Sequence, residues 1–453
     1  MVSFKACRSE PQLVSPARPT PREMKALSDI DDQHALCYYE TVISFFRRYH
    51  DQSDGPDDPV RAALAEALAT EGGRRREARG GLHGGRGGVR GPADADVKLE
   101  DFGEPLVPPY PCVEELLCDA GDTRGVIGSP LLFMQLTRLK CGGFVGGFHK
   151  CHNLADGFGM IQLMITIAEL ACGVAAPSIL PVWKRELLSS TIHSPTPIIY
   201  PKPSYVQLQL NNLDSTCDDG MLSTPLNEMV VDYFIFGPRE MTTIENNIRG
   251  YHAHSTTSFE LITVVKWRCR TIALGYKSNQ IVHLIITMNA RGRWNHHTPI
   301  PWGYYGNAHF SPTAQVTIDE LCRQPLIDMV ELVRRTKRSV IAKEYMESML
   351  EIMASMRNRL CEDTARNTRS LTQNGLQQGM LGWAEFVGGG IPVAGDITSK
   401  IGSDHMRCKN QDGEDSTVVS LLLPRSAMER FKKEIAVWLK KPDNKSLIIQ
   451  SSL

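Results

Sequence analysis

The chain has 453 residues, and its hydrophobic fraction of 42% is ordinary for a globular protein of two or three domains. Its 50 lysines and arginines are balanced by 51 aspartates and glutamates, which excludes a strong field that would attract nucleic acid or an anionic membrane. The longest apolar stretch, residues 160–176, contains Gln162, Thr166 and Glu169, so we expect no membrane span. Its 12 cysteines include no C-x-x-C pair, as is typical of an intracellular protein with reduced thiols.

The N-terminal region changes character several times. Residues 1–30 are polar and rich in proline, an apolar-periodic region begins at Ala35, and residues 59–69 are predicted to form a helix. Residues 70–92 consist mainly of glycine and arginine, and because this composition cannot bury a core we expect the segment to be disordered. Its R-G-G triplets are similar to RNA-binding repeats, but no aromatic residue lies between them to stack on a base.

A β-hairpin followed by a helix is predicted next. Residues 131–139 and 144–151 have the composition of two strands, and the glycines between them are typical of a turn. A helix then begins at Asp156 or Gly157 and ends before Gly173, a residue type favoured just past a helix end. Its expected apolar face consists of Ile161, Met164, Ile167, Ala168 and Ala171.

A proline-rich segment, residues 186–224, is the predicted linker between two domains. The domains are then residues 1–185 and residues 225–453. Both contain predicted strands and helices, which indicates an α/β protein with two halves. In the second half the predicted strands are residues 229–236, 281–288 and 417–423, and the predicted helices are residues 239–249, 258–273 and 426–439.

The pattern His-x-x-x-Asp occurs twice. His50 and Asp54 lie in a polar run in which nothing would orient a histidine. His152 and Asp156 lie between a glycine-rich strand and an amphipathic helix, where a histidine can accept a proton from a bound nucleophile. Two alternatives stay open, because His152 is also compatible with a core histidine and Asp156 with a simple helix N-cap.

Other kinds of site are excluded by what the sequence lacks. His149, Cys151 and His152 lie close together, but no second ligand cluster completes a tetrahedral zinc site, so we expect no metal. There is no G-x-x-x-x-G-K-[ST] loop for a nucleotide and no G-x-S-x-G elbow for a serine hydrolase.

Several segments resemble the plant acyl-CoA-dependent acyltransferases of the BAHD family. Residues 148–159, FHKCHNLADGFG, are similar to the family's H-x-x-x-D-G signature. Residues 289–307, NARGRWNHHTPIPWGYYGN, are similar to an N-x-R stretch followed by P-x-G-Y-Y-G-N. Further similarity covers residues 20–33, 99–118, 179–187 and 258–274. Within the family, the chain most resembles the benzyl alcohol O-benzoyltransferase-like and taxoid 10-O-acetyltransferase-like members.

The resemblance implies a fold and a reaction. Two chloramphenicol-acetyltransferase-like α/β domains would enclose a solvent channel, in which His152 acts as the general base while an acyl group moves from acyl-CoA to a small alcohol. Asp156 would pair with an arginine, for which Arg291 is the candidate, and the alternative is that Arg291 is a surface residue. Acyl-CoA is then a co-substrate, and no cofactor is bound permanently. Most such proteins are cytoplasmic monomers, and the terminal Ser451-Ser452-Leu453 leaves peroxisomal import as an alternative.

Two segments depart from the family pattern. The second family motif, D-F-G-W-G, is matched at residues 380–384 only by Gly382 and Trp383, which the resemblance places on the coenzyme A side of the channel. Residues 70–92 stand where the relatives have an apolar stretch. A local change of reading frame in the coding sequence is our hypothesis for this difference. An impaired or inactive family member is therefore the alternative to an active acyltransferase that uses a benzoyl or acetyl donor.

Overall fold

The structure is a computed structural model. It describes residues 2–14, 17, 26–33, 36–48, 87–90, 93–118, 129–190, 220–248, 256–292, 299–340, 343–356, 367–373, 384–390 and 402–439. The predicted helix at residues 59–69 and most of the predicted linker lie outside these residues. Within the described ranges, no helix is both long enough and apolar enough to cross a membrane.

The described residues form strands and helices along the whole chain. The strands are β1 (Ala6–Arg8), β2 (Pro11–Val14), β3 (Tyr39–Arg48), β4 (Gly87–Arg90), β5 (Ala93–Ala95), β6 (Leu132–Leu139), β7 (Phe144–Cys151), β8 (Met229–Phe236), β9 (Ile281–Ile286), β10 (Met288–Asn289), β11 (His309–Phe310), β12 (Thr313–Thr317), β13 (Asn367–Gln373), β14 (Ala384–Gly390), β15 (Asp404–Lys409) and β16 (Asp415–Pro424). The helices are α1 (Gly157–Ala171), α2 (Gly220–Ser223), α3 (Pro238–Asn246), α4 (Ser258–Leu274), α5 (Ile318–Arg323), α6 (Leu326–Ser339), α7 (Lys343–Met356) and α8 (Arg425–Leu439).

These strands pair in two large sheets and one small one. The eight-stranded sheet has the order β1-β5-β6-β7-β3-β14, with β4 also paired to β6 and β2 paired to β4. The six-stranded sheet has the order β12-β9-β13-β15-β16-β8, and β10 pairs with β11. The sequence therefore predicted the class correctly: both halves mix strands with helices.

The predicted hairpin and helix are confirmed. β6 and β7 pair antiparallel, from Leu132 opposite Lys150 to Arg138 opposite Phe144. Gly142, in the turn, has a φ of +82°. The carboxylate of Asp156 caps α1 by accepting the N–H of Gly159, and Gly173 follows the helix end with a φ of +81°.

The face that α1 buries differs in part from the predicted one. Met160 and Leu163 are buried together with Met164 and Ile167, against apolar side chains of β6 and β7. Ile161, which was expected on the buried face, is only half-buried. The reason is that α1 carries apolar residues around most of its circumference, so periodicity alone could not decide which side meets the sheet.

The second sheet and its helices enclose the largest apolar cluster described, which is centred on α4. Thr257 caps this helix in a reciprocal arrangement with Glu260, and Gly275 follows its end with a φ of +71°. Trp267 at its middle is fully buried. The predicted strand 229–236 is confirmed. The predicted helices 239–249, 258–273 and 426–439 match α3, α4 and α8, and no end differs by more than three residues.

Three strands lie where the sequence predicted none. β14 lies within residues 225–453, the predicted second domain, and pairs with β3 of the first sheet. β4 lies within residues 70–92, which were expected to be disordered, and pairs with β2 and β6. β13 pairs with β9 and β15 of the second sheet. In each case the ladder uses backbone amides and carbonyls, which glycine and polar residues supply as well as apolar ones.

A buried lysine in α4 gives a first testable prediction. The Lys266 ammonium lies 3.2 Å from Nε2 of His405 on β15, and its side chain is almost fully buried. Burial and the nearby Arg270 lower the pKa of Lys266, and Asp404 opposes the shift, with a net result of about 7. A buried ammonium group costs free energy because it loses its hydration, and methionine fills the same space without a charge. Lys266→Met is therefore expected to raise the free energy of unfolding by about 1–4 kcal/mol at pH 6.

The gain in stability of Lys266→Met should depend on pH. The folded chain releases the lysine proton near pH 7, whereas the unfolded chain holds it up to about 10.5, the ordinary value. The destabilisation by Lys266 is thus complete below pH 7 and fades as the pH rises from there. Urea unfolding at pH 6 and pH 9 would measure the difference, with exposed Lys277→Met as the control. A variant less stable than the parent at pH 6 would contradict the prediction.

Candidate active site

His152 lies directly after β7 and against the residues that lead into β3. Its backbone N–H donates to the Tyr38 carbonyl at 2.9 Å, and its own carbonyl accepts from Asn307 Nδ2 at 2.8 Å. The Tyr38 ring lies beside the imidazole, with ring centroids 5.3 Å apart. The backbone of the residue is therefore held on both sides, and the ring has a neighbour that limits its orientation.

Every residue between His152 and α1 is also held by a buried or half-buried polar group. The contacts are Asn153 Nδ2 to the Asp31 carbonyl (2.5 Å), Arg185 Nη2 to the Leu154 carbonyl (3.0 Å) and Lys150 Nζ to the Ala155 carbonyl (2.6 Å). A loop fixed at successive residues has little freedom to reorient, so the imidazole is positioned before any substrate binds.

Asp156 both caps α1 and forms a buried ion pair with Arg291. Two guanidinium nitrogens of Arg291 donate to the two carboxylate oxygens, each at 3.0 Å, and the Ala308 N–H adds a third bond at 3.0 Å. The Arg291 side chain is completely buried, so the alternative that it is a surface residue is wrong. Burial alone would raise the pKa of Asp156, but the charge and hydrogen bonds of Arg291 outweigh this and lower it to about 2.

A second buried ion pair, Asp31–Arg185, supports the same loop. Arg185 Nη1 lies 2.5 Å from one Asp31 carboxylate oxygen, and the backbone N–H and Nδ2 of Asn307 donate to the other at 2.8 and 2.9 Å. The guanidinium carbon of Arg185 lies 4.6 to 5.3 Å from three aromatic ring centroids, those of Trp183, Tyr304 and Tyr305. Asn307 thus joins this ion pair directly to the carbonyl of His152.

The imidazole of His152 is neutral near pH 7. Burial lowers its pKa, Lys150 and His309 lower it further, and the Glu40 carboxylate raises it, with a result of about 4. Its Nδ1 is buried and makes no hydrogen bond to another of the described residues. Its Nε2 lies 3.8 Å from a carboxylate oxygen of Glu40. A neutral, positioned imidazole is the form that a general base requires.

Comparison with known proteins identifies the family. The sequence model described as "Transferase family" matches residues 6–437. The chain is also 55% identical to "Acyl transferase 1" of Oryza sativa subsp. japonica, with both chains covered completely.

The chain belongs to the plant BAHD acyltransferase family.

Other relatives of this BAHD acyltransferase are named for different acceptors. It is 42% identical to "Spermidine hydroxycinnamoyltransferase 1" of Oryza sativa subsp. japonica, over 90% of this chain and 93% of that protein. It is 39% identical to "Benzyl alcohol O-benzoyltransferase" of Nicotiana tabacum, over 96% of this chain and 94% of that protein. The resemblance found in the sequence is confirmed.

Solved structures show the same fold. Vinorine synthase matches with a TM-score of 0.69 and 14% identity, over 96% of this chain and 98% of that one. F. graminearum TRI101 complexed with ethyl coenzyme A matches with a TM-score of 0.59 and 14% identity, over 90% and 96%. The predicted α/β class with two chloramphenicol-acetyltransferase-like domains is therefore confirmed.

The structure brings together three of the site residues expected in this BAHD acyltransferase: His152, Asp156 and Arg291. Gly382 and Trp383 lie outside the described residues, as do His50 and Asp54. The sequence reasoning missed the groups that hold the loop, which are Asp31, Glu40, Lys150, Arg185 and Asn307. A signal existed for Asp31, Lys150, Arg185 and Asn307, because each lies in a segment that resembles the family, whereas Glu40 lies in none of these segments.

The glycine at position 159 lets the segment that contains Tyr305 approach α1. A Cβ at Gly159 would overlap the Tyr305 carbonyl oxygen, whereas a Cβ at Gly157 would meet no atom within 4 Å. Gly159→Ala is therefore expected to lower the free energy of unfolding by about 1–3 kcal/mol, because the backbone must shift. Gly157→Ala, two residues earlier in the same helical turn, is the matched control and should stay within about 0.5 kcal/mol of the parent. Urea unfolding of the pair is the measurement, and equal stability would contradict the close approach.

Proposed function

We propose that this BAHD acyltransferase transfers an acyl group from acyl-CoA to the hydroxyl group of a small alcohol, with His152 as the general base. The observation that carries the proposal is the neutral imidazole of His152, on a loop whose neighbouring residues are all hydrogen-bonded to buried groups. A base held in this way needs no rearrangement when the acceptor arrives.

The proposed reaction has two steps, an attack and a collapse. The neutral imidazole takes the proton of the acceptor hydroxyl while the oxygen attacks the thioester carbonyl carbon of the acyl-CoA. The tetrahedral intermediate collapses by breaking its carbon–sulfur bond, and the imidazolium returns the proton to the departing sulfur. The products are an ester and coenzyme A, and His152 is neutral again without any covalent enzyme intermediate. A base of this kind contributes about 10²–10⁴ in rate.

Asp156 and Arg291 act as positioning residues in this proposal. Both carboxylate oxygens of Asp156 accept bonds from Arg291, and one also caps α1, so no free oxygen is directed at the imidazole. Their pairing joins the start of α1 to the segment after β10, and this junction fixes where the loop ends. Gly382 and Trp383 are proposed to line the coenzyme A side of a channel between the two domains.

The donor and the acceptor are proposed from the relatives. The tobacco relative is named for benzoyl transfer to benzyl alcohol, and the F. graminearum protein binds a coenzyme A compound. We therefore propose benzoyl-CoA or acetyl-CoA as the donor and a benzyl-type alcohol as the acceptor. The rice relative named for spermidine is similarly close, which makes an amine acceptor the second candidate.

The experiment is a measurement of thiol release by the purified full chain. Benzoyl-CoA, acetyl-CoA or a hydroxycinnamoyl-CoA is offered with benzyl alcohol or spermidine, and the product mass is determined. Acceptor-dependent release of coenzyme A, together with the mass of the ester, would support the proposal. Amide formation with spermidine alone would replace the alcohol by the amine. A folded protein that binds coenzyme A without turnover on this panel would favour the inactive family member.

A further inference from the structure

An ion pair that the mechanism above does not use lies beside His152. Glu40 on β3 and Lys150 on β7 are directly opposite each other in the antiparallel ladder. Their side chains form an ion pair with 2.5 Å between Lys150 Nζ and Glu40 Oε2. The Lys150 side chain is completely buried, and its ammonium group also donates to the Ala155 carbonyl at 2.6 Å. Lys150 thus connects Glu40 to the loop that carries the base.

The second oxygen of Glu40 is directed at the imidazole. Glu40 Oε1 lies 3.8 Å from His152 Nε2, and the two side chains are 14% and 13% exposed, respectively. One carboxylate oxygen therefore contacts a fixed cation, while the other lies beside Nε2 of the imidazole. A carboxylate at this distance, largely shielded from water, interacts strongly with a positive charge on the ring.

Stability alone does not explain this pair. A buried ion pair gives up the hydration of both charges, and apolar residues of the same volume are often equally stabilising or better. On one side of this pair in the ladder, Tyr39 lies opposite Cys151 and both are buried, and on the other side Thr41 lies opposite His149 and the two side chains are hydrogen-bonded at 2.8 Å. The two charges are therefore shielded from water beside His152, the residue that directly follows β7.

We propose that Glu40, held in place by Lys150, is a positioning residue that stabilises the imidazolium formed when His152 takes the proton of the acceptor. This inference rests on the proposed function of His152. Glu40 favours the charged ring and Lys150 opposes it. The pair therefore sets the proton affinity of His152: the imidazole is unprotonated at neutral pH, yet it can hold the proton of the acceptor during the reaction. His309 on β11 is the other nearby group that opposes the charge on the ring.

The two partners should therefore act in opposite directions. Removing the Lys150 charge leaves the carboxylate beside the ring, and the His152 titration midpoint is expected to rise from about 4 by one unit or more. Removing the Glu40 charge as well, in Glu40→Gln/Lys150→Met, is expected to bring the midpoint down again. A role confined to folding predicts no such pair of opposite shifts.

The experiment uses the full chain labelled with [¹³Cε1]histidine, and the His152 resonance is assigned by its loss in His152→Gln. The decisive comparison is Lys150→Met against Glu40→Gln/Lys150→Met, because these proteins differ only in the carboxylate. Circular dichroism establishes that each is folded over the pH range used. Asp94→Asn is the control, since it breaks the exposed cross-strand ion pair Asp94–Arg138 of the same sheet. It should leave the midpoint and the activity unchanged.

Turnover supplies the second readout. Glu40→Gln keeps the shape of the side chain and is expected to lower kcat at pH 7 about tenfold, with an unchanged KM for the acyl-CoA, because one pKa unit of imidazolium stabilisation is lost. A midpoint that is higher in Lys150→Met than in the double variant, with this loss of kcat, supports the inference. Equal midpoints in those two variants, or an unchanged kcat in Glu40→Gln, would overturn it. A parent without turnover would instead count against the proposed function, and the midpoints would still decide whether Glu40 stabilises the charged ring.

Discussion

Replacing His152 by glutamine is expected to lower kcat by about 10²–10⁴ while the protein stays folded. The physical reason is that the side chain supplies the base but little of the structure. Its Nδ1 makes no hydrogen bond to another described residue, and its Nε2 is 3.8 Å from Glu40, beyond hydrogen-bonding distance. The contacts that hold the loop at this residue are made by its backbone, which glutamine keeps.

The measurement is thiol release at saturating donor and acceptor, together with the thermal unfolding midpoint. His149→Gln is the matched control, because it also replaces a histidine by glutamine. His149 lies on β7, and its Nδ1 is hydrogen-bonded to the Thr41 hydroxyl. It should keep turnover within a few-fold of the parent. If His152→Gln retained the parental kcat, the imidazole would not be the base, and proton transfer would have to be assigned to another group.

Replacing Arg291 by methionine is expected to lower the free energy of unfolding by about 3–5 kcal/mol and to abolish turnover. The variant leaves the buried Asp156 carboxylate with its backbone partners alone, because both of its 3.0 Å bonds from Arg291 are lost. The guanidinium bonds to Asn289 Oδ1 and to the Tyr304 and Gly306 carbonyls are lost as well. Because Asp156 also caps α1, its displacement moves the end of the loop that carries His152. The free energy of unfolding and kcat should therefore both fall in this variant.

The loss should depend on pH in a defined direction. Asp156 has a pKa of about 2 in the folded parent, below its ordinary value of 3.8. Its pairing with Arg291 therefore contributes fully above about pH 4, and the contribution fades as the pH falls from there towards 2. The gap in stability between parent and variant should shrink over that range.

Urea unfolding between pH 3 and pH 7 tests both statements about Arg291→Met. Arg323→Met is the control, because it breaks the exposed Asp319–Arg323 pair of α5 and should cost no more than about 1 kcal/mol. The double variant Asp156→Asn/Arg291→Met should regain part of the lost stability, since it no longer buries an unpaired charge. A single variant as stable as the parent would mean that the ion pair does not hold the site.

Much of the local structure could be predicted because each element is specified by neighbouring residues. Alternating and apolar runs defined β6, β7 and β8, and capping residues defined the ends of α1 and α4. Prediction failed at β4, β13 and β14, which contain few apolar residues. Their place in a sheet depends on backbone groups that pair with partners distant in sequence, such as β3 for β14, and no local pattern records such a partner.

The sequence by itself determined the family and the α/β class, and it predicted three residues that the structure brings together at the candidate site, because those rest on short motifs and on periodicity. Only the tertiary structure decided which buried charges meet. Asp31, Arg185 and Asn307 are far apart along the chain, yet they join at one loop, and Glu40 faces Lys150 only because β3 pairs with β7 in one register. Burying any one of these polar groups without its partner would cost too much free energy, so the sequence alone predicts that each is exposed. The partner that makes burial tolerable becomes visible only when the strands are brought together.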